Sequence, residues 1–420
     1  MGVRGLLRRT AMNRPAVLMV TVPGATALRL EAEAELRRRG WPVVAVPAAA
    51  DLLLVCGVPV LTASEWVDGI EQSVPEPAVR IAVDRSGQVA HVLDVARREL
   101  TREAVNSRGA RAADRPAHHR EATNRPDAPR NGRAGREPAT HHGHGGRGGH
   151  TGHAMGEVAG LPMAERADDR DALKLDQLHV PFGPGLSDWP VGLILRLTLQ
   201  GDVVQGVEVD HLPVPSGHRP PFWDEPWLRA VRGEHVTRGS AARRRCAAHL
   251  DSAGRLLAVA GWDDAAARCR LLRDDVLSGA SREAIGGVLG GTVRRIGRSR
   301  ALRWSIAGLG GLTAGEAQAA GVSGPALAAD GDAHDRLLTW LKETERGLDS
   351  LDDTRPLTCA DRNGPRGLLD TPTPPSRALL DILPGLLTGA EYACARIILA
   401  SLDPDVDELA SAPVAGAFHA

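Results

Sequence analysis

Between residues 104 and 160 the chain has almost nothing with which to build a core: Arg, Gly, Pro, Asn and His dominate. A stretch of that kind reads as a disordered linker. The apolar residues must therefore gather into separate cores on either side, and 420 residues suffice for two or three domains. Residues 15–103 have the pattern of an α/β domain. Val17–Val22 is a buried strand, Thr26–Arg39 a helix ended by Gly40, Val43–Val46 a second strand and Asp51–Gly57 a third. Short apolar runs alternating with helix predict a parallel, flavodoxin-like sheet covered on both faces.

Residues 161–410 form the second domain, α-rich and opening on a β-hairpin. Gly192–Leu199 and Val203–Val209 alternate apolar and polar residues about a Gln200-Gly201-Asp202 turn. A helix capped by Thr237 or Ser240 is expected through Ala260, another after Asp263, and more over 333–349 and 376–400. Gly183–Pro190 is turn-rich with an anchoring Trp189, and Trp223, Trp227, Trp262, Trp304 and Trp340 are expected in the core. Gly286–Gly291 lacks the lysine of a phosphate-binding loop.

The net charge of -1 gives no global field toward nucleic acid or anionic lipid. The five cysteines, Cys56, Cys246, Cys269, Cys359 and Cys394, stand singly with no Cys-x-x-Cys, which argues against zinc-ribbon or ferredoxin-type sites. Met1–Arg14 has too short an apolar run for a signal peptide, and no run approaches the roughly 20 residues of a membrane helix. The expectation is a cytoplasmic protein with reduced thiols.

Gly389–Glu408 ends Ser401-Leu-Asp-Pro404-Asp405-Val-Asp-Glu408. It resembles the closing helix and turn of the large subunits of nickel–iron hydrogenases and their complex I relatives. Three earlier segments resemble that family in the expected order over residues 185–408: the hairpin with Gly217-His218-Arg219, Leu312–Pro325 with its Gly-Val-Ser-Gly-Pro, and Gly364-Pro-Arg-Gly367. Ala50–Gly57 resembles a strand of the small, iron–sulfur subunits, although an ordinary flavodoxin-like strand has the same pattern. The resemblance implies a fusion of degenerate small- and large-subunit-like domains.

The departures from that family matter as much. Its metal centre needs two Cys-x-x-Cys pairs; here Asp405 and Glu408 occupy the second, and Arg244-Arg245-Cys246 is followed by Ala248 and His249. The loop Val22–Thr26 has no cluster cysteine, and the lone Cys56 is expected in the core. A quinone site of the complex I type needs a histidine and a tyrosine. His218, beside Arg219, fits the first or is merely a loop residue, and 210–250 contains no tyrosine. Asp403, Asp405, Asp407 and Glu408 admit two readings: a solvated acidic tail, or cleft carboxyls that raise one another's pKa. His141, His142, His144, His150 and His153, with His118 and His119 upstream, read either as a loose Ni or Zn tract or as a spacer.

The resemblance thus implies a non-metallated structural or regulatory subunit of a complex I-like, hydrogenase-related assembly. It has no resident cofactor, antiporter-like membrane subunits as partners, no nucleic acid, and a place on the inner face of the cell membrane. Two alternatives remain: a subunit binding quinone or another small molecule, and a His-rich metal-binding accessory protein.

Overall fold

The computed structural model describes residues 14–59, 64–76, 78–113, 157–158, 161–162, 166–168, 174–214, 220–358 and 360–410. The first half is β1 (Val17–Thr21), α1 (Thr26–Arg39), β2 (Val43–Val44), β3 (Leu52–Cys56), α2 (Glu65–Gln72), β4 (Val79–Val83) and α3 (Val89–Ala113). The sheet is parallel in the order β2-β1-β3-β4. All five residues of β3 are buried, as its unbroken apolar run requires in a sheet covered on both faces. Gly40 takes the left-handed conformation (φ 67°) that closes α1, its amide reaching the Arg37 and Leu36 carbonyls. The edge strand β2 is shorter than its valines suggest: Val43 and Val46 are exposed, and a 3₁₀ turn begins at Pro47, which has no amide for the ladder. Helix α3 runs past position 104 to Ala113.

The second half opens with β5 (Glu157–Val158) and β6 (Leu161–Pro162), a two-residue pairing, then β7 (Arg166–Asp168), β8 (Lys174–Phe182), β9 (Leu193–Gln200) and β10 (Val203–His211). The expected hairpin is β9–β10, and it belongs to a larger antiparallel sheet, β10-β9-β8-β7. Strand β8 is mostly exposed, and its apolar and polar residues do not alternate regularly enough to mark it. Trp189 is buried and donates from Nε1 to the Leu193 carbonyl at 2.8 Å, pinning the turn before β9.

The helices are α4 (Glu225–Val231), α5 (Arg238–Val259), α6 (Asp263–Leu277), α7 (Arg282–Gly297), α8 (Arg300–Ile306), α9 (Ala314–Ala319), α10 (Gly324–Ala329), α11 (Ala333–Leu348), α12 (Pro375–Leu387) and α13 (Tyr392–Leu402). Thr237 caps α5, its Oγ1 accepting from the Ser240 amide at 3.1 Å. From Cys246 to Leu257 every residue of α5 is buried, so this helix is the axis of the half, with α6 and α11 against it. The single helix expected over 376–400 is two, broken where Gly389 turns at φ 84°. Trp223, Trp227 and Trp340 are core residues; Trp304 is 88% exposed, contrary to expectation.

The two halves pack together. Leu30 of α1 joins the core built on α5 and α6. At Gly192, which precedes β9, a Cβ would stand 2.7 Å from the Pro23 ring, so only glycine lets the β1–α1 loop come this close.

Candidate functional site

The segment after α13 turns inward. Asp403 takes φ 45° at the end of the helix, Pro404 prevents its continuation, and a short 3₁₀ turn over Val406–Ala410 carries the carboxyls back under the protein. Asp403, Asp405, Asp407 and Glu408 are 2–8% exposed, so the solvated-tail reading is wrong. Arg366, from Gly364-Pro-Arg-Gly367, explains how they stay inside. Its Nε donates to the Asp403 carbonyl at 2.6 Å and its Nη2 to Asp403 Oδ2 at 2.7 Å. Asp405 Oδ2 lies 3.6 Å and Glu408 Oε1 4.0 Å from Nη1. Ser252 Oγ also donates to Asp403 at 2.6 Å, and Ser376 ties the turn down through its amide to Glu408 and its hydroxyl to the Asp405 amide.

Asp224, just before α4, completes the cluster; nothing in the sequence marked it. It is 2% exposed and feels the charges of Arg366, Asp405 and Arg244, while a hydrogen bond with Glu408 pulls its carboxyl down. Its Oδ1, with Asp405 Oδ2, Glu408 Oε1 and Arg366 Nη1, has no hydrogen-bond partner among the described residues. Five carboxyls thus face Arg366 and Arg255, 3.0 Å from Asp403, with Arg244, itself paired with Glu225, also acting on Asp224. Burial, with too few cations to offset it, pushes Asp224 up to about 7 and Glu408 well above the usual carboxyl range. Burial and Asp405 likewise raise Asp407 to about 7, although the Gly24 amide and Thr26 pull the other way. At neutral pH this cluster holds protons.

Asp407 also joins the halves. Its Oδ1 accepts from the Gly24 amide at 2.7 Å and its Oδ2 from Thr26 Oγ1 at 3.3 Å. The cysteine-free loop of the first half therefore meets the turn that carries Asp405 and Glu408.

A second charged lattice lies next to the first. Asp251 of α5 receives Arg29 Nη2 at 2.7 Å, Arg255 Nη2 at 2.8 Å and Arg273 Nη1 at 2.5 Å. Glu33 takes Arg29 at 2.7 Å and Arg273 at 2.7 Å, and Asp274 takes Arg273 and Arg37. Burial alone would raise the carboxyl of Glu33, but Arg273 and Arg29 outweigh it and hold Glu33 at about 2; Asp251 is likewise held well below its ordinary value. Beside this lattice a cleft of about 280 Å³ opens between the halves, with Met19, Trp41, Leu186 and Trp189 on its walls and Arg29 and Arg255 among its polar lining.

The residues at which the sequence resemblance would put metal ligands do not fit a nickel–iron centre. Cys246 turns away and donates to the Thr344 carbonyl of α11 at 3.5 Å; burial pushes its thiol up to about 12. His249 is buried and held neutral, lowered to about 3 by burial with Arg245 and Arg366 nearby. A guanidinium, rather than a cation's ligand sphere, sits against Asp405 and Glu408. The cavity among His249, Ser252, Arg366 and Asp403 is about 10 Å³, room for roughly one water. Cys56 is a fully buried strand residue whose thiol burial raises to about 12. One further group, Asp332, His334 and Asp335, is a capping box: Asp332 accepts from the His334 and Asp335 amides at the start of α11.

His218 and Arg219, and the tract His141, His142, His144, His150 and His153, lie outside the described residues. Among the described residues no helix is long and apolar enough to cross a membrane.

No family model and no curated protein matches the chain. Among solved structures it is similar to a chain of the membrane-bound sulfane sulfur reductase, an archaeal respiratory membrane complex. The two share 16% identity over 55% of this chain and 98% of that one, with a TM-score of 0.39, too loose a superposition to assign a family.

Proposed function

We propose that this chain is a non-metallated structural or regulatory subunit of a complex I-like, hydrogenase-related assembly at a membrane, with its halves derived from small- and large-subunit-like domains. The observation that carries this reading is the pair Asp405 and Glu408, buried against Arg366 where the resemblance calls for two metal-binding thiolates. The strand order β2-β1-β3-β4 agrees with a flavodoxin-like first half. In this reading the joint between the halves is made of charge: Asp407 grips the Gly24–Thr26 loop, and Asp403 passes the contact through Arg255 to Asp251 and Arg29. Surplus carboxyls make that joint responsive to protons, which suits a regulatory part beside proton-moving subunits. Affinity isolation of the tagged chain from its native membranes, with metal analysis, tests it. Antiporter-like membrane subunits should co-purify, and this chain should carry neither nickel nor iron stoichiometrically. Tightly held stoichiometric metal, or isolation without membrane subunits, would sink the reading.

The cleft favours a second reading, a subunit that binds quinone or another small molecule. Its lining mixes apolar side chains such as Trp41 and Trp189 with charged ones, and Arg29 and Arg255 each keep an Nε without a partner among the described residues. Quinone-analogue binding that survives His218→Ala and is lost on Trp41→Ala would place the ligand here; no binding would dismiss it.

A further inference from the structure

Residues 282–303 contain six arginines and one glutamate, and after Glu283 no acidic residue occurs until Glu316. The overall charge of -1 hides this local excess. In α7 the apolar positions Ile285, Leu289 and Ile296 are buried, leaving Gly287, Gly291, Arg294 and Arg298, spaced four, three and four apart, along the outward side. Nothing lies within 4 Å of where a side chain would start at Gly287 or Gly291, so this side of the helix is open and low. The next helix repeats the arrangement: in α8 Leu302 and Ile306 point inward, while Arg300, Arg303 and Trp304 are exposed.

Four of these six cations are not spent within the protein. Arg282 pairs with Asp349 at 2.8 Å and Arg295 lies over the Trp262 ring. Arg294, Arg298, Arg300 and Arg303 form no ion pair among the described residues. Trp304 is the most exposed large apolar side chain described. The two hydroxyls in the patch are occupied by their own helix: Ser299 Oγ accepts from the Leu302 amide at 3.2 Å, and Ser305 Oγ donates to the Leu302 carbonyl at 2.8 Å.

We propose that the outward sides of α7 and α8 are a peripheral docking surface for an anionic phospholipid bilayer. A protein partner is fixed in register by a mixed set of directional polar groups, and here, the guanidiniums apart, the hydroxyls are already used. A fluid anionic surface asks only for positive charge and an aromatic that sits at headgroup depth. Guanidiniums at 294, 298, 300 and 303 with an indole at 304 meet both needs within eleven residues. Attachment is a property of the isolated chain, so it stands or falls separately from the assembly reading.

Sedimentation of the full chain with vesicles of equal parts phosphatidylglycerol and phosphatidylcholine, against phosphatidylcholine alone, tests the proposal. Binding should require the anionic lipid and weaken as salt is raised. Neutralising three cations (Arg298→Gln, Arg300→Gln and Arg303→Gln together) should weaken it by about 100-fold, near fivefold for each arginine. Trp304→Ala should weaken it roughly tenfold. All four positions are exposed, and an unchanged melting temperature would show that the fold is intact. Equal binding to both vesicles, none to either, indifference to the triple substitution, or tighter binding to an oligonucleotide than to the anionic vesicles would overturn the proposal.

Discussion

Two buried charge lattices meet at Asp403, and their difference is one of stoichiometry. Around Asp251, four arginines (Arg29, Arg37, Arg255, Arg273) face three carboxyls (Glu33, Asp251, Asp274). Around Arg366, five carboxyls crowd one guanidinium and borrow a second. Asp251 and Asp224 are each 2% exposed, yet Asp251 is held well below its ordinary value while Asp224, with Asp407 and Glu408, is pushed toward the neutral form. Desolvation alone therefore does not decide protonation here; the number of opposing charges does.

The largest expected effect separates the two lattices. Asp251→Asn leaves three arginines without their shared partner and should cost about 3–5 kcal/mol in denaturant unfolding. Glu408→Gln, which removes a surplus acid, should cost less than about 1 kcal/mol at neutral pH. Equal losses would break the comparison.

The pH dependence should have opposite signs in the two places. Asp224 and Asp407 have folded values near 7, above the roughly 4 of an unfolded carboxyl. Their contribution is complete below about pH 4 and is lost as pH rises through 7. Glu33, near 2 when folded, contributes above about pH 4, and that is lost as pH falls toward 2. Stability should therefore decline on both sides of a mildly acidic optimum. Asp224→Asn should flatten the neutral limb, raise stability at pH 8 by about 1 kcal/mol and leave the acid limb in place; unfolding curves across pH would expose a limb that does not respond. An effect of similar size is expected at the joint: Thr26→Ala removes one donor to Asp407 and should cost roughly 0.5–1.5 kcal/mol.

Much of the scaffold was legible because it is local. The helix Thr26–Arg39 with its Gly40 stop, the β9–β10 hairpin, the Thr237 cap and the helix from Ala333 follow from spacing and capping chemistry. Asp403, Asp405 and Glu408 were legible as candidates, but not their burial, which depends on Arg366 arriving from 37 residues upstream of Asp403. Asp224 gave no signal, since Trp-Asp-Glu-Pro reads as an ordinary helix start. Arg29 and Glu33 gave no signal either: they stand four apart in α1, and it is Asp251 of α5 and Arg273 of α6 that close over them. Trp304 was misread because a tryptophan near leucines and isoleucines satisfies a core pattern, and only the helix phase places it outside.

The most direct test of the claim that protons occupy this joint is the infrared spectrum of the protein at pH 7, comparing the native chain with Glu408→Gln and Asp251→Asn. Protonated carboxyl absorption should be present in the native chain, diminished in Glu408→Gln, and not diminished by Asp251→Asn. A native spectrum without protonated carboxyl absorption at that pH would contradict it.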